Sequence, residues 1–276
     1  MSATLLIAGH GYLGQELRRQ ASAAGWRVSA LSKSGDQHSL PCDLTNREAV
    51  RTLASTLEPP TAIVLAASSD RGGPDAYRAI FLDGTRNLLS TFPDSHLLFV
   101  SSTSVYHQTD GSLVTEESLT APVRETSRIL LDAEKLILAS TGTVARLAGL
   151  YGPTRSVILK RFLQDQALIE EDGRRFLNQI HLADAAAALL HLASRSESSR
   201  SQIYNLADSS PLHQGDCYLA LAQLFERALP PTGPRPENPK RAWTHKRVSN
   251  EKLRATGWEP THPSFVDAAQ EVARSL

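Results

Sequence analysis

No tyrosine in this chain is followed four residues later by a lysine. The six tyrosines are Tyr12, Tyr77, Tyr106, Tyr151, Tyr204 and Tyr218; four places on stand Glu16, Phe81, Asp110, Arg155, Asp208 and Ala222. Cysteine is scarce: Cys42 and Cys217 are the only two, and their separation argues against a disulfide framework. Long apolar runs are missing too, since stretches such as Ala62–Ala67 and Ala185–Leu190 fall far short of a membrane span. Neither sign of charge prevails, with 29 basic and 29 acidic residues, so nothing marks a nucleic-acid surface or an anionic-membrane patch. The nine histidines are scattered and the cysteines do not cluster, which leaves the expectation of no metal site. The first residues read as a strand and a glycine loop, without a charged n-region or cleavage site. The expectation is a cytoplasmic protein with a small-molecule substrate and no nucleic-acid or membrane partner.

What is present is a βαβ rhythm. The 276 residues, 41% of them apolar, suffice for one large α/β domain or a domain and a half. Strands are predicted at Thr4–Ala8, Arg27–Leu31, Ala62–Leu65, His96–Val100 and Thr143–Leu147. Helices are predicted around Leu13–Ala24, Arg47–Thr56, Ala76–Phe92 and Arg124–Ser140, with Thr45 or Asn46 as cap of the second. Such alternation predicts a Rossmann-type, doubly wound parallel sheet over residues 1–150. Residues 151–276 change rhythm: helical patterns at Ile158–Gln166, Leu182–Ala193 and Tyr218–Arg227, a strand at Ile203–Leu206, and a proline-rich surface loop at Pro230–Pro236. They read mostly as a small C-terminal substrate lobe interleaved with the core.

The strongest local motif is Gly9-His10-Gly11-Tyr12-Leu13-Gly14, a G-x-G-x-x-G run directly after the first strand and opening the first helix. Gly9 permits the tight turn, Gly11 lets backbone approach a pyrophosphate, and Gly14 lets helix pack on strand. The N–H groups and positive dipole end of the helix, which begins at Tyr12 and Leu13, then face the phosphates. The alternatives are a flavin site or a purely structural turn. The second strand ends in Ser32-Lys33-Ser34, where an NAD site usually has Asp or Glu on the ribose 2′-hydroxyl. A lysine without a carboxylate favours the 2′-phosphate of NADP, with NAD possible.

Beyond the loop the chain resembles the extended, epimerase/dehydratase-like short-chain dehydrogenases in most of its blocks. Asp43-Leu44 is similar to the family's adenine-contacting Asp segment, and Leu65-Ala66-Ala67 to the strand lining the cofactor ribose. Asp83–Leu89 matches a helix signature. Ser101-Ser102-Thr103-Ser104-Val105-Tyr106 resembles the catalytic-serine strand, with Ser102 at the Ser/Thr position. Arg146 and Tyr151-Gly152-Pro153 resemble the strand and loop near the nicotinamide, and Ile180–Ala186 a helix start. The resemblance implies Ser101, Tyr151 and Pro153 at the cofactor. It also implies a homodimer through helices around Ile129–Leu138, whose apolar character agrees.

In that family a tyrosine is the acid/base and a lysine lowers its pKa. Counting back from Glu134, which matches a family glutamate, puts Leu130 at the lysine position and Thr126 at the tyrosine position; Phe81 stands where a supporting Asn is usual. The chain therefore resembles the atypical members, with the cofactor motif kept and the catalytic set eroded to Ser102. A threonine hydroxyl barely ionises in water, so Thr126 cannot replace a tuned phenol. Tyr106 and Tyr151 are the nearest phenols by family position, each a substitute acid or a packing residue. Arg124, Arg128, Lys160, Arg161, Arg174 and Arg175 are anion partners or solvated charge. His181 is a base or a backbone-bonded helix-start residue, and Asp184 reads as a helix-start residue. Three readings stand: an NADP-dependent reductase or epimerase-type oxidoreductase with a non-standard acid/base, a non-catalytic NADP-binding regulatory or redox-sensing protein, and a structural relic in which the glycine loop persists for packing.

Overall fold

The computed structural model describes residues 3–69, 72–235 and 243–276. The chain divides into two compact units: Met1–Val105, Pro122–Arg146 and Ala186–Tyr204 in the first, and Tyr106–Ala121, Leu147–Ala185 and Asn205–Leu276 in the second. A seven-stranded sheet is formed by β1 (Thr4–Ala8), β2 (Arg27–Ser32), β3 (Leu40–Pro41), β4 (Ala62–Leu65), β5 (His96–Ser102), β6 (Thr143–Leu147) and β7 (Ile203–Leu206). Its order is β7-β6-β5-β4-β1-β2-β3, and β1 pairs in parallel with β2 on one side and β4 on the other. Strand order reverses about β1, which is the topology of a doubly wound sheet. β1 and β4 are buried along their whole length, as parallel strands covered on both faces must be.

Helix α1 (Tyr12–Ala23) lays Leu13, Gly14, Leu17 and Ala21 inward at helical spacing. Helix α2 (Arg47–Ala54) is capped by Asn46, whose side chain accepts from Glu48 N and Ala49 N at 3.0 and 3.1 Å. The helix expected over Ala76–Phe92 is instead three pieces: α3 (Pro74–Tyr77), a π-helical stretch Arg78–Asp83, and α4 (Gly84–Thr91). The widened turn seats Phe81 in the core, its ring 5.1 Å from Tyr77 and 5.8 Å from Phe99. Helix α5 (Glu125–Ala139) buries Ile129, Leu130, Ala133 and Ile137.

The second unit is built of short pieces around a core that includes Tyr151, Leu159, Phe162, Leu221, Phe265 and Val272. Gly149–Tyr151 pairs in parallel with Gln179–His181, and Leu113–Val114 with Arg247–Val248. The helix expected from Tyr218 begins earlier, at Gln214, and its Gly215 packs against Gly173. In the proline-rich loop Thr232–Gly233 pairs with Ile169–Glu170, while Pro236 lies outside the described residues. Among the described residues no helix is long and apolar enough to cross a membrane.

Candidate functional site

The glycine loop lies in the first unit, where β1 hands over to α1. Gly9 and His10 both donate to Leu31 O, at 3.1 and 2.8 Å, which pins the turn to the end of β2. Gly9 has φ +124°, and a Cβ there would meet Ala67 N at 2.4 Å. A Cβ on Gly14 would meet Gly9 O at 2.0 Å, so the helix rests directly on the turn. Gly11 is different: a Cβ there would meet nothing within 4 Å. The glycine set therefore fits a dinucleotide, with two positions closed by packing and the middle one open where phosphate would approach backbone and the N-terminus of α1. Leu65, Ala66 and Ala67 border the loop, with Ala66 N donating to Ala8 O at 3.0 Å.

Asp43 accepts from Thr45 N and Thr45 Oγ1 at 3.0 and 2.7 Å, and these bonds hold its carboxyl below the usual range. Asn87 Nδ2 donates to Leu44 O at 2.8 Å, and Thr85 Oγ1 to Phe81 O at 2.6 Å, so the Asp83–Leu89 signature braces the Asp43-Leu44 segment. After β2 the chain folds back through an Asp36–Ser39 bridge and a 2.9 Å contact between Ser32 Oγ and Ser39 Oγ. This brings Asp36 Oδ2 to 3.2 Å from His10 Nδ1. Asp36 is held ionised, its pKa lowered to about 2, chiefly by the His38 amide. Lys33 Nζ stands 3.4 Å from Asp43 Oδ2, its side chain largely exposed. Lys33 stood out in the sequence as a candidate for the ribose end; Asp36 did not, since its place depends on the fold-back.

At the end of β5 the two serines part. Ser101 Oγ donates to Glu134 Oε1 at 2.6 Å, and Glu134 also takes the Arg146 guanidinium at 2.7 Å in a buried pair. Ser101, Glu134 and Arg146 thus make one buried polar group tying β5, α5 and β6. Ser102 Oγ accepts from Ser104 N at 3.1 Å, which leaves its hydroxyl proton to donate. Ser104 Oγ meets Ser127 Oγ at 3.0 Å, fixing the serine turn to α5. Thr126 is half-buried in the first turn of α5, and Leu130 is buried one turn on. Leu130 and Phe81 lie on elements that pack together, so apolar side chains occupy positions where the resemblance implied a polar relay.

Tyr106, Tyr151 and Pro153 belong to the second unit. Tyr106 is fully buried; its hydroxyl donates to Asn205 Oδ1 at 2.9 Å, and its carbonyl accepts from Lys246 Nζ at 2.8 Å. Tyr151 packs edge-on against His181 and Phe265, and burial, followed by the charges of Asp208 and Asp184, drives its pKa far up. Neither setting is that of an activated phenol. Pro153 follows Gly152, which forms a bridge with Arg155. Arg174 and Arg175 pair with Asp172 and Glu170, Lys160 and Arg161 are exposed, and Arg128 donates to Pro122 O.

Two further buried groups of this unit, Lys246 and Asp208, carried no sequence signal. Lys246 is pushed down to about 8 by burial, with no ion pair among the described residues. Asp208 is pushed up to about 8, first by burial and then by the charges of Asp267 and Asp184. Asp184 accepts from Thr261 N at 2.8 Å, His262 N at 2.9 Å and His262 Nδ1 at 3.0 Å. It therefore anchors a distant turn rather than only starting its own helix. His181 Nδ1 accepts from Ala183 N at 3.3 Å.

Residues 5–207 match the model of the NAD dependent epimerase/dehydratase family. A solved structure from Methylobacillus flagellatus, provisionally named an NAD-dependent epimerase/dehydratase, is 26% identical over 99% of this chain and 98% of that one, with TM-score 0.81. A conserved protein of unknown function from Silicibacter pomeroyi is 24% identical over 99% of each chain, with TM-score 0.73. The UDP-glucose 4-epimerase of Thermus thermophilus, solved with NAD, shares the fold at 19% identity over 99% of this chain and 98% of that one, with TM-score 0.79. No curated protein matches the chain. The chain belongs to the NAD dependent epimerase/dehydratase family, and the nicotinamide dinucleotide expected from its glycine loop is that family's cofactor.

Proposed function

We propose that this member of the family is an NADP-dependent oxidoreductase of reductase or epimerase type, working without the Tyr/Lys relay. The observation that carries the reading is the pairing of an intact glycine loop, open at Gly11, with a Ser102 hydroxyl free to donate. Bound NADPH supplies hydride. Ser102 contributes a hydrogen bond to the carbonyl oxygen that gains charge as hydride arrives. With Thr126 and Leu130 at the relay positions, the proton comes from solvent and turnover is slow. Loss of general acid catalysis alone is worth roughly 10²–10⁴-fold. Lys33 favours NADP by meeting the 2′-phosphate.

A second reading is a non-catalytic NADP-binding module that reports redox state, favoured by the apolar Leu130 and Phe81 at relay positions. The two separate in one experiment: NADPH oxidation over a panel of activated carbonyls, with Ser102→Ala beside the parent. A rate that falls at least about tenfold in the variant with unchanged NADPH affinity supports the enzyme. Tight NADPH binding with no oxidation of any acceptor supports the module. The proposal extends to a cytoplasmic homodimer associating through α5, which light scattering at monomer mass would remove.

A further inference from the structure

We propose that His181, Asp184 and His262 form a binding site for a first-row transition-metal ion, with Zn²⁺ the best match. All three lie in the second unit, and one ligand-capable atom from each falls within 4.8 Å of the others. His181 and Asp184 are 3% and 2% exposed, so an ion held there is shielded from bulk water. Two imidazoles with one carboxylate suit Zn²⁺, Co²⁺ or Ni²⁺ rather than Mg²⁺ or Ca²⁺, which prefer all-oxygen shells.

The geometry is close to what coordination requires. Zinc–nitrogen and zinc–oxygen bonds of about 2.0–2.2 Å place tetrahedral ligands about 3.4 Å apart. His262 Nδ1 and Asp184 Oδ2 already stand 3.0 Å apart, sharing one proton. The ion takes the place of that proton at Nδ1, and the proton moves to Nε2 of the same ring, so the neutral imidazole serves as ligand. The His181 ring lies against the His262 ring, centroids 3.9 Å apart and tilted 43°. The amides of Thr261 and His262 hold the carboxylate in place, as outer hydrogen bonds do for metal-ligating carboxylates.

Charge points the same way. Asp184 and Asp208 are both buried, and among the described residues neither has a lysine or arginine ion pair. Asp208 Oδ1 has no hydrogen-bond partner there. Both carboxylates act on the Tyr151 hydroxyl, which places them in one neighbourhood. Buried carboxylates are normally paired or bound to a metal.

The competing account is a turn held by hydrogen bonds alone. His262→Asn separates the two, because the asparagine amide keeps a donor for Asp184 while the imidazole ligand is lost. His181→Asn likewise keeps an acceptor for Ala183 N. The protein, stripped with chelator, is titrated with Co²⁺ and with Zn²⁺, following the Co²⁺ ligand-field bands and the thermal midpoint. The expected result is one ion per chain, with affinity weakened at least about 100-fold in each variant whose metal-free midpoint is unchanged. No uptake by the parent chain, or equal uptake by both variants, overturns the site. Dinucleotide binding is a separate readout, so this failure leaves the proposed function standing.

Discussion

At the residue scale, the glycine motif was legible because each glycine acts locally. Gly9 meets the backbone of Ala67 and Gly14 that of Gly9, and only glycine fits. Asp36 was not legible, because four residues of fold-back through Ser39 bring it to His10. Its ionised carboxylate opposes a 2′-phosphate unless His10 shields it. Asp36→Asn is therefore expected to strengthen NADPH binding about 3–10-fold with little change for NADH, the scale of one partly screened charge; calorimetric titration with both cofactors checks it, and equal changes for both would refute the assignment. Lys246 makes a second prediction. Its folded pKa of about 8 lies below the ordinary lysine value of 10.5, so the native state binds fewer protons than the unfolded chain between these pH values. Stability from this group then rises with pH through that window, and the burial penalty is fully felt below about pH 8. Lys246→Met should flatten the rise and raise stability at neutral pH by on the order of 1–3 kcal/mol, less the lost bond to Tyr106 O. Denaturant unfolding at several pH values reads both effects.

At the scale of elements, period and caps carried most of the information. Asn46 beside Thr45 left the start of α2 ambiguous in the sequence. The structure resolves it by giving Thr45 to Asp43 and Asn46 to the helix amides. Asn46→Ala is expected to lower stability by about 1 kcal/mol, measured as a denaturant midpoint shift at constant slope. The π-helical stretch before α4 was invisible because it preserves the apolar pattern while inserting a residue into the turn; what it serves is the seating of Phe81. Packing of that stretch on α5 also makes the absent relay a property of two elements together. Leu130→Lys alone would bury an uncompensated ammonium and is expected to lose about 3 kcal/mol or more. If the apolar filling is what forbids the relay, Thr126→Tyr with Leu130→Lys and Phe81→Asn should recover part of that loss and raise the reductase rate. A triple variant no faster than the parent would place the block elsewhere.

At the scale of the whole molecule, the doubly wound sheet was readable because parallel strands buried on both faces leave short uninterrupted apolar runs, and β1 and β4 have them. The second unit resisted because its strands are two or three residues long, below the length at which alternation has a period to show. Its histidine–carboxylate cluster joins His181 to a residue 81 positions later, a relation no spacing rule captures. If the molecule binds a dinucleotide, its stability must respond as a whole. A ligand that binds only the folded chain stabilises it by RT ln(1 + [L]/Kd), about 2.7 kcal/mol at a hundredfold excess over Kd. For a chain of this length that is a rise of roughly 5–10 °C in the thermal midpoint. NADPH should produce it in the parent protein. Gly11→Asp should abolish it without lowering the unliganded stability by more than about 1 kcal/mol, because a side chain at Gly11 meets open space while its charge repels the pyrophosphate. Gly14→Ala, by contrast, should lower the unliganded midpoint itself, since its Cβ would collide with Gly9 O. A midpoint unmoved by NADPH and by NADH in the parent would mean that the glycines are retained for packing alone, and the proposed chemistry would fall with the cofactor.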